Sequence, residues 1–162
     1  MDEQEFTAWA AGTERRLLRS AFLLTGDLHR AEDLVQEALV KVAMRWDRLR
    51  EGNPTAYART IIVRDNVSWW RRRREVPVDE VAPTAAVSSD PDAAMVVRRA
   101  LARLTPGQRA VVVLRHFDDL SVEETAVILR VAPGTVKSQN AAALARLRAG
   151  APELLDLIGG AR

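Results

Sequence analysis

The 162-residue sequence contains no cysteine, which excludes disulfides, cysteine-ligated zinc and thiol catalysis. It also lacks any apolar run near the roughly 18 residues that a membrane span requires. The acidic start, MDEQEF, does not have the basic-then-apolar order of a signal peptide. These absences predict a cytoplasmic protein that does not insert into a membrane.

Groups that commonly carry catalysis are scarce as well. His29 and His116 are the only histidines, and we expect them to lie in separate modules as surface or packing residues. The sequence has no P-loop, no nucleophile elbow and no HExxH motif. Helix capping and solvation explain the carboxylates of Glu123 and Glu124. Since catalysis needs convergent polar groups, we expect no enzyme, no cofactor and no metal site.

The distribution of charge is uneven, although the net charge is only +2. Residues 1–74 hold 14 Lys/Arg and 11 Asp/Glu, and residues 95–162 hold 10 and 6. Residues 75–94 hold five acidic residues, three prolines and no Lys or Arg. Such a segment, without a sustained helical face, is typical of a flexible linker. The pattern predicts two basic modules that face polyanions, joined by an acidic linker.

The apolar periodicity of the first module predicts three amphipathic helices. Their approximate ranges are residues 3–24, 28–46 and 54–73. The second has the most regular pattern, and Asp27 is a suitable N-cap for it. Its opposite face carries polar side chains that, on pattern alone, are typical of a solvated surface. They include Asp33, Gln36 and Glu37.

The third of these helices combines tryptophan and arginine at high density. The residues assigned to its interior are Tyr57, Ile61, Ile62, Val67 and Trp70. Those assigned to its solvent side are Arg59, Arg64, Asn66, Ser68 and Trp69, followed by Arg71, Arg72, Arg73 and Arg74. Cations hold phosphates and indole faces stack on unpaired bases, which points to single-stranded nucleic acid. The alternative is a solvated helix end favoured by the helix dipole.

The second module predicts further helices with clear start signals. A helix begins near Met95, and Thr105 with Gln108 forms a capping box for the next one. Ser121 and Glu124 form another box. The tail after residue 150 holds enough leucine for about one extra packing turn.

Residues 121–148 predict a helix, a tight turn over residues 130–134, which include Pro133 and Gly134, and a basic second helix that starts near Thr135. That order is typical of a helix-turn-helix, whose second helix enters a DNA major groove. An ordinary helical hairpin is the alternative on this segment alone.

Three segments in a fixed order resemble a known family. They read LLTGDLHRAEDLVQEAL at 23–39, VRDNVSWWRRRR at 63–74, and LARLTPGQRAVVVLRHFDDLSVEETAVILRVAPGTVKSQ at 101–139, with LARLR at 144–148. Together they resemble the extracytoplasmic-function group of bacterial sigma-70-type factors, the transcription initiation subunits of RNA polymerase. The resemblance covers about residues 14–148.

The resemblance implies an all-α fold with two small helical domains. Region 2, a three-to-four-helix bundle, would span 1–74, and region 4, a four-helix domain with the helix-turn-helix, would span 95–150. A flexible acidic linker, 75–94, joins them, and 151–162 form a tail. The implied activity is that of an alternative sigma factor, which binds core polymerase, recognises and melts the −10 element and reads the −35 element. Expected partners are core polymerase, promoter DNA and an anti-sigma factor, and the free chain is expected to be a monomer.

The family's motifs assign roles to residues of this chain. The polymerase contacts would be Asp33, Leu34, Gln36 and Glu37. The single-stranded −10 element would meet Arg59, Arg64, Asn66, Trp69, Arg71, Arg72, Arg73 and Arg74, with Trp70 in support. The duplex −35 element would meet Thr135, Lys137, Ser138, Gln139, Asn140 and Arg146.

One departure from the family pattern concerns the recognition helix. Family members often carry Arg or His after GTVKS, but here Gln139 and Asn140 precede three alanines. Asn140 also stands where an apolar residue is usual. We therefore expect weak −35 affinity from this module alone. A stand-alone helix-turn-helix regulator, built on residues 95–148 and needing a dimer for affinity, is the alternative function.

Overall fold

A computed structural model describes residues 2–73 and 91–159 of the chain, and within these residues all regular structure is helical. They belong to two compact units, one on each side of residue 84. The all-α prediction is thus confirmed. Arg74 and most of the expected linker lie outside the described residues. None of the helices in the described ranges has the length and apolar character that crossing a bilayer demands.

The first unit contains four helices within its described part. They are α1 (Glu3–Thr25), α2 (Leu28–Ala43), α3 (Trp46–Leu49) and α4 (Pro54–Arg73). α1, α2 and α4 pack against one another in pairs. The predicted N-cap of α2 is confirmed, because Asp27 accepts the Arg30 backbone N–H at 3.2 Å. Asn53 acts in the same way before α4, since it accepts the Ala56 backbone N–H at 2.9 Å.

The predicted end of α2 is wrong by three residues, since the helix stops at Ala43 instead of continuing to 46. A turn at Arg45 starts the short helix α3, and Trp46 is only 2 % exposed. Its ring centre lies 5.4 Å from those of both Phe6 and Trp9. The turn therefore places a large apolar side chain among the aromatic residues of α1.

The interior face of α4 also differs from the prediction. Its buried residues are Ala58, Ile62, Val63 and Asn66. The other four residues assigned to the interior, Tyr57, Ile61, Val67 and Trp70, are only partly buried. Asn66, assigned to solvent, is only 4 % exposed. A buried amide is tolerated because Arg30 donates a hydrogen bond to its oxygen at 2.9 Å.

The second unit contains five α-helices within its described part. They are α5 (Pro91–Ala102), α6 (Pro106–Val112), α7 (Val122–Leu129), α8 (Pro133–Gly150) and α9 (Pro152–Gly159). α6 continues directly into a π-helical turn, Val113–Phe117. Both predicted capping boxes are confirmed; in the second, Glu124 N–H donates to Ser121 at 3.0 Å and its carboxylate accepts from Ser121 N–H at 2.7 Å.

Two helices of this unit begin earlier than expected. α5 starts at Pro91 instead of near Met95, and α8 starts at Pro133 instead of near Thr135. Proline fits the first helical position, because no intrahelical bond needs its missing N–H there. The tail forms a full helix, α9, whose Leu154 is fully buried.

The core of this unit is built from α5, α6, α8 and α9, with a small cluster of Val111, Ala126 and Val136 under the helix-turn-helix. Leu147 of α8 is buried, whereas Met95 and Val96 of α5 are 36 % and 39 % exposed. The interior side of α5 is instead formed nearer its carboxyl end. Its buried residues there are Ala100 and Leu101, and Leu104 follows the helix.

Candidate functional site

The polar face of α2 is exposed, as its periodicity predicts. Asp33, Gln36 and Glu37 are exposed, and their spacing of three and four residues places them on one side of the helix. Leu34, grouped with them as a polymerase contact, is only 7 % exposed and packs into the unit. The face therefore offers two carboxylates and an amide to a partner, with an apolar side chain beneath them.

Lys41 connects this face to α4. Its Nζ lies 2.9 Å from a carboxylate oxygen of Glu37 and 2.9 Å from one of Asp65. The bond to Glu37 is the main cause that raises the pKa of Lys41, and the bond to Asp65 adds to it. One cation thus joins an exposed carboxylate of α2 to α4, the helix that carries the arginines and tryptophans.

Arg30 makes a second connection between the two helices. Besides its bond to Asn66, its guanidinium carbon lies 3.5 Å from the centre of the Trp69 ring. Burial and the neighbouring positive charge of Arg73 lower the pKa of Arg30 to about 10. Arg30 is therefore a partly buried cation held by an amide oxygen and an indole ring.

The two helices border a cleft of about 360 Å³ beside these contacts. Its walls are Arg30, Asp33, Leu34, Glu37, Asp65, Ser68, Trp69 and Arg72. Residues predicted to contact a protein partner thus share one cleft with residues predicted to contact DNA. A partner bound to the α2 side of this cleft would therefore lie close to the candidate DNA contacts on its α4 side.

The arginines at the end of α4 differ in exposure. Arg71 and Arg72 are exposed, whereas Arg73 is partly buried with its guanidinium carbon 4.4 Å from the centre of the Trp69 ring. Arg59 and Arg64 are partly buried and engaged within the protein. Asn66 is buried and bonded to Arg30, so the prediction that its side chain faces solvent is wrong. The accessible cations of this surface are concentrated at the last turn of α4.

α8, the predicted recognition helix, presents its polar residues mainly in its first two turns. Thr135, Lys137 and Ser138 are exposed, whereas Gln139 and Asn140 are partly buried. Arg146 is exposed, but its guanidinium donates to the backbone oxygen of Arg103 at 3.3 Å, near the end of α5. Exposed polar groups that could read a groove thus belong to the start of the helix, as expected.

Asn140 is paired with a histidine that the sequence assigned to surface or packing. His116 Nε2 lies 2.8 Å from Asn140 Oδ1. Sequence reasoning noted that Asn140 replaces an apolar residue, and that substitution was the available signal for a polar partner. The sequence around Arg30 and Lys41 gives no comparable signal for their tertiary contacts.

No group of three or more acidic or histidine side chains within residues 2–73 and 91–159 is placed to hold a metal ion.

Comparison with known proteins matches both units to one family. The family model of sigma-70 region 2 matches residues 10–76, and that of sigma-70 region 4 matches residues 94–147. The chain is 41 % identical to the RNA polymerase sigma-E factor of Streptomyces avermitilis over 151 residues, covering 89 % of this chain and 83 % of that protein. It is 34 % identical to the ECF RNA polymerase sigma factor SigM of Mycobacterium tuberculosis, covering 82 % and 70 %.

A solved sigma factor structure is also similar to this chain. The sigma factor RpoE of Bartonella quintana, crystallised with the anti-sigma factor NepR, matches with a TM-score of 0.73 and 29 % identity. The match covers 90 % of this chain and 95 % of that one.

Proposed function

The chain belongs to the extracytoplasmic-function group of RNA polymerase sigma factors, and on that premise we propose how its two units share promoter-specific transcription initiation. The first unit, residues 1–74, binds core RNA polymerase and captures the −10 element. The second, residues 95–150, reads the −35 element. The observation that carries this proposal is the cleft between α2 and α4, which has candidate polymerase contacts and candidate DNA contacts in its walls.

The exposed side of α2 supports polymerase binding by Asp33, Gln36 and Glu37. These side chains can accept hydrogen bonds or ion pairs from a basic partner surface without unfolding α2. Leu34 supports the face from below through packing, since it is buried. We assign the direct contacts to the three polar residues.

The end of α4 supports binding of an unpaired strand. Arg71 and Arg72 are exposed and available for phosphates, and Trp69 lines the adjacent cleft. Capture of unpaired bases favours melting, because it holds the open state of the DNA. We assign Arg59, Arg64 and Asn66 supporting roles within the unit, where the structure shows them partly or fully buried. Arg74, outside the described residues, keeps its predicted phosphate contact.

The first turns of α8 support groove reading by Thr135, Lys137, Ser138 and Gln139. A helix fits the major groove of B-DNA, and Lys and Gln side chains have base-edge partners there. Because Ala141 and Ala142 follow, the contact between α8 and DNA involves few side chains. We therefore expect the polymerase to hold the second unit near its DNA. Arg146 has a structural role at the end of α5.

Regulation by a protein partner is part of the proposal. The related Bartonella quintana factor is known in complex with an anti-sigma factor. We propose that this chain also has one, that it works in the cytoplasm, and that the chemistry of RNA synthesis belongs to the polymerase.

Reconstitution tests the proposed function directly. The full chain is mixed with core polymerase, and binding is measured together with run-off transcription from a promoter library. We expect a one-to-one complex and transcripts that start at a common −10 and −35 pattern. A chain that neither binds core polymerase nor changes its start sites would refute the proposal.

A further inference from the structure

The pair of His116 and Asn140 links the π-helical turn to the recognition helix. A π-helical turn contains more residues than an α-helical turn and changes the direction of the side chains that follow. Here Asp118 N–H donates to the oxygen of Val113 at 2.9 Å, which closes the wide turn. His116 lies in this turn, and its Nε2 reaches Asn140 across 24 residues of sequence.

The position of Asn140 explains why such a partner matters. Val136, four residues earlier, and Ala143, three residues later, are both buried, whereas Lys137 and Ala141 are exposed. Asn140 therefore lies at the boundary between the core side and the exposed side of α8. It is also the last polar side chain before three alanines, so its amide is the final group with hydrogen-bonding capacity on the candidate reading surface.

The hydrogen bond also fixes the direction of the amide. An amide oxygen only accepts hydrogen bonds, so His116 Nε2 must carry the proton and donate to Asn140 Oδ1. The Nδ2 group then keeps two donors, for which the described residues supply no partner. Without the histidine, the amide could rotate and exchange its donor and acceptor ends.

We propose that His116 is a positioning residue for DNA reading, because it fixes the Asn140 amide so that Nδ2 donates to an acceptor on one base pair of the −35 element. Acceptors of this kind lie on the major-groove edges of guanine, adenine and thymine. The proposal rests on the proposed function, since it assumes that α8 reads duplex DNA. It adds a specificity-determining pair that lies partly outside the recognition helix.

The test uses holoenzyme reconstituted from the full chain and a promoter library randomised in the −35 element. The variants are Asn140→Ala, His116→Phe, His116→Gln and the double variant His116→Phe/Asn140→Ala. Phenylalanine keeps the ring but cannot donate, whereas glutamine restores a nitrogen donor near the position of Nε2. Gln139→Ala is the matched control, because it removes the neighbouring amide of the same helix.

Asn140→Ala and His116→Phe should each reduce the base preference at the same position by about threefold to tenfold, the usual range for one hydrogen bond. The double variant should be no worse than either single one, and His116→Gln should keep most of the preference. Gln139→Ala should change the base preference at another position of the −35 element. Combined with His116→Phe, it should give the sum of the two single effects. Thermal melting of each full-length variant separates this effect from unfolding, since a positioning role changes base preference while the folded fraction stays constant.

The inference is overturned if His116→Phe keeps the preference that Asn140→Ala removes. It is equally overturned if Asn140→Ala alters no position, or if the two effects add in full. Wild-type holoenzyme without any promoter-dependent transcript would instead overturn the proposed function, and this inference with it.

Discussion

The guanidinium carbon of Arg30 lies 3.5 Å from the centre of the Trp69 ring. Arg30 is in the first turn of α2, the helix with the candidate polymerase face, and Trp69 is in the last turns of α4, the helix with the candidate strand-binding arginines. The same guanidinium satisfies the buried amide of Asn66. One side chain therefore holds the far end of α4 against the start of α2.

Replacement of Arg30 by alanine should destabilise the first unit. Asn66 would lose its hydrogen-bond donor while remaining buried, and Trp69 would lose a stacked cation. An unsatisfied buried group costs about 1–3 kcal/mol, so we expect a decrease of that size in the free energy of unfolding. Urea denaturation followed by tryptophan fluorescence measures it, since all four tryptophans belong to residues 1–74.

Arg48→Ala is the matched control for this change, because Arg48 is an exposed arginine in the same unit. Its replacement should alter stability by less than about 0.5 kcal/mol. Equal effects of the two substitutions would show that the contacts of Arg30 do not stabilise the unit.

Replacement of Asp33 and Gln36 together by alanine should weaken binding to core polymerase at least about tenfold, as expected for loss of two interface contacts. Both side chains are exposed, so the fold should be unaffected. Fluorescence anisotropy with labelled sigma factor measures the affinity. The control replaces Gln4 and Glu14, an amide and a carboxylate exposed on α1. If both double variants bind alike, Asp33 and Gln36 do not belong to the interface.

Local signals in the sequence predict most helices and their starts. The capping residues Asp27, Asn53, Thr105 and Ser121 act within three residues of themselves, so their partners can be read from short spacings. α2 has a regular apolar stripe, and its buried residues, Ala31, Leu34, Val35, Ala38 and Val42, follow that stripe. Prolines at first helical positions were the main local signal that was underused, at Pro91 and Pro133.

Features that depend on distant residues could not be predicted in this way. Apolar and polar residues alternate irregularly around α4, so periodicity does not select its buried side. The burial of Asn66 depends on Arg30, 36 residues earlier in the chain. Likewise, His116 contacts Asn140 from a π-helical turn that no local sequence pattern predicts. The sequence therefore predicts candidate site residues by their type, whereas tertiary contacts determine how accessible those residues are.

Replacement of Arg72 and Arg73 by alanine should lower affinity for single-stranded DNA and flatten its salt dependence. Each lost phosphate contact should reduce the slope of log K against log salt by about 0.7 for a single strand. Binding to a labelled oligonucleotide at several salt concentrations measures the slope. Arg15 and Arg16, two exposed arginines of α1, provide the control pair. The same slope change in both pairs would mean that only net charge matters.

Arg109 predicts a stability effect that its charge alone would not suggest. It is only 8 % exposed; its Nε donates to the backbone oxygen of Leu101 at 3.0 Å, and a terminal nitrogen donates to that of Leu104 at 3.5 Å. Burial lowers the pKa of Arg109, which marks the cost of holding a cation there. The guanidinium nevertheless donates to one carbonyl group at the end of α5 and one in the turn after it, and the Leu101 oxygen also accepts from Leu104 N–H at 3.1 Å.

Arg109→Met should therefore destabilise the second unit by about 1–3 kcal/mol, because methionine fills similar space but removes the guanidinium donors of the Leu101 and Leu104 oxygens. Arg109→Lys should recover only part of the loss, since a single ammonium cannot reproduce the planar set of donors. Hydrogen exchange of amides in residues 91–159 measures the effect separately from the first unit. Arg99→Met, at an exposed position of α5, is the control and should be nearly neutral. If Arg109→Met proves as stable as this control, desolvation of the cation offsets its hydrogen bonds, and Arg109 does not stabilise the end of α5.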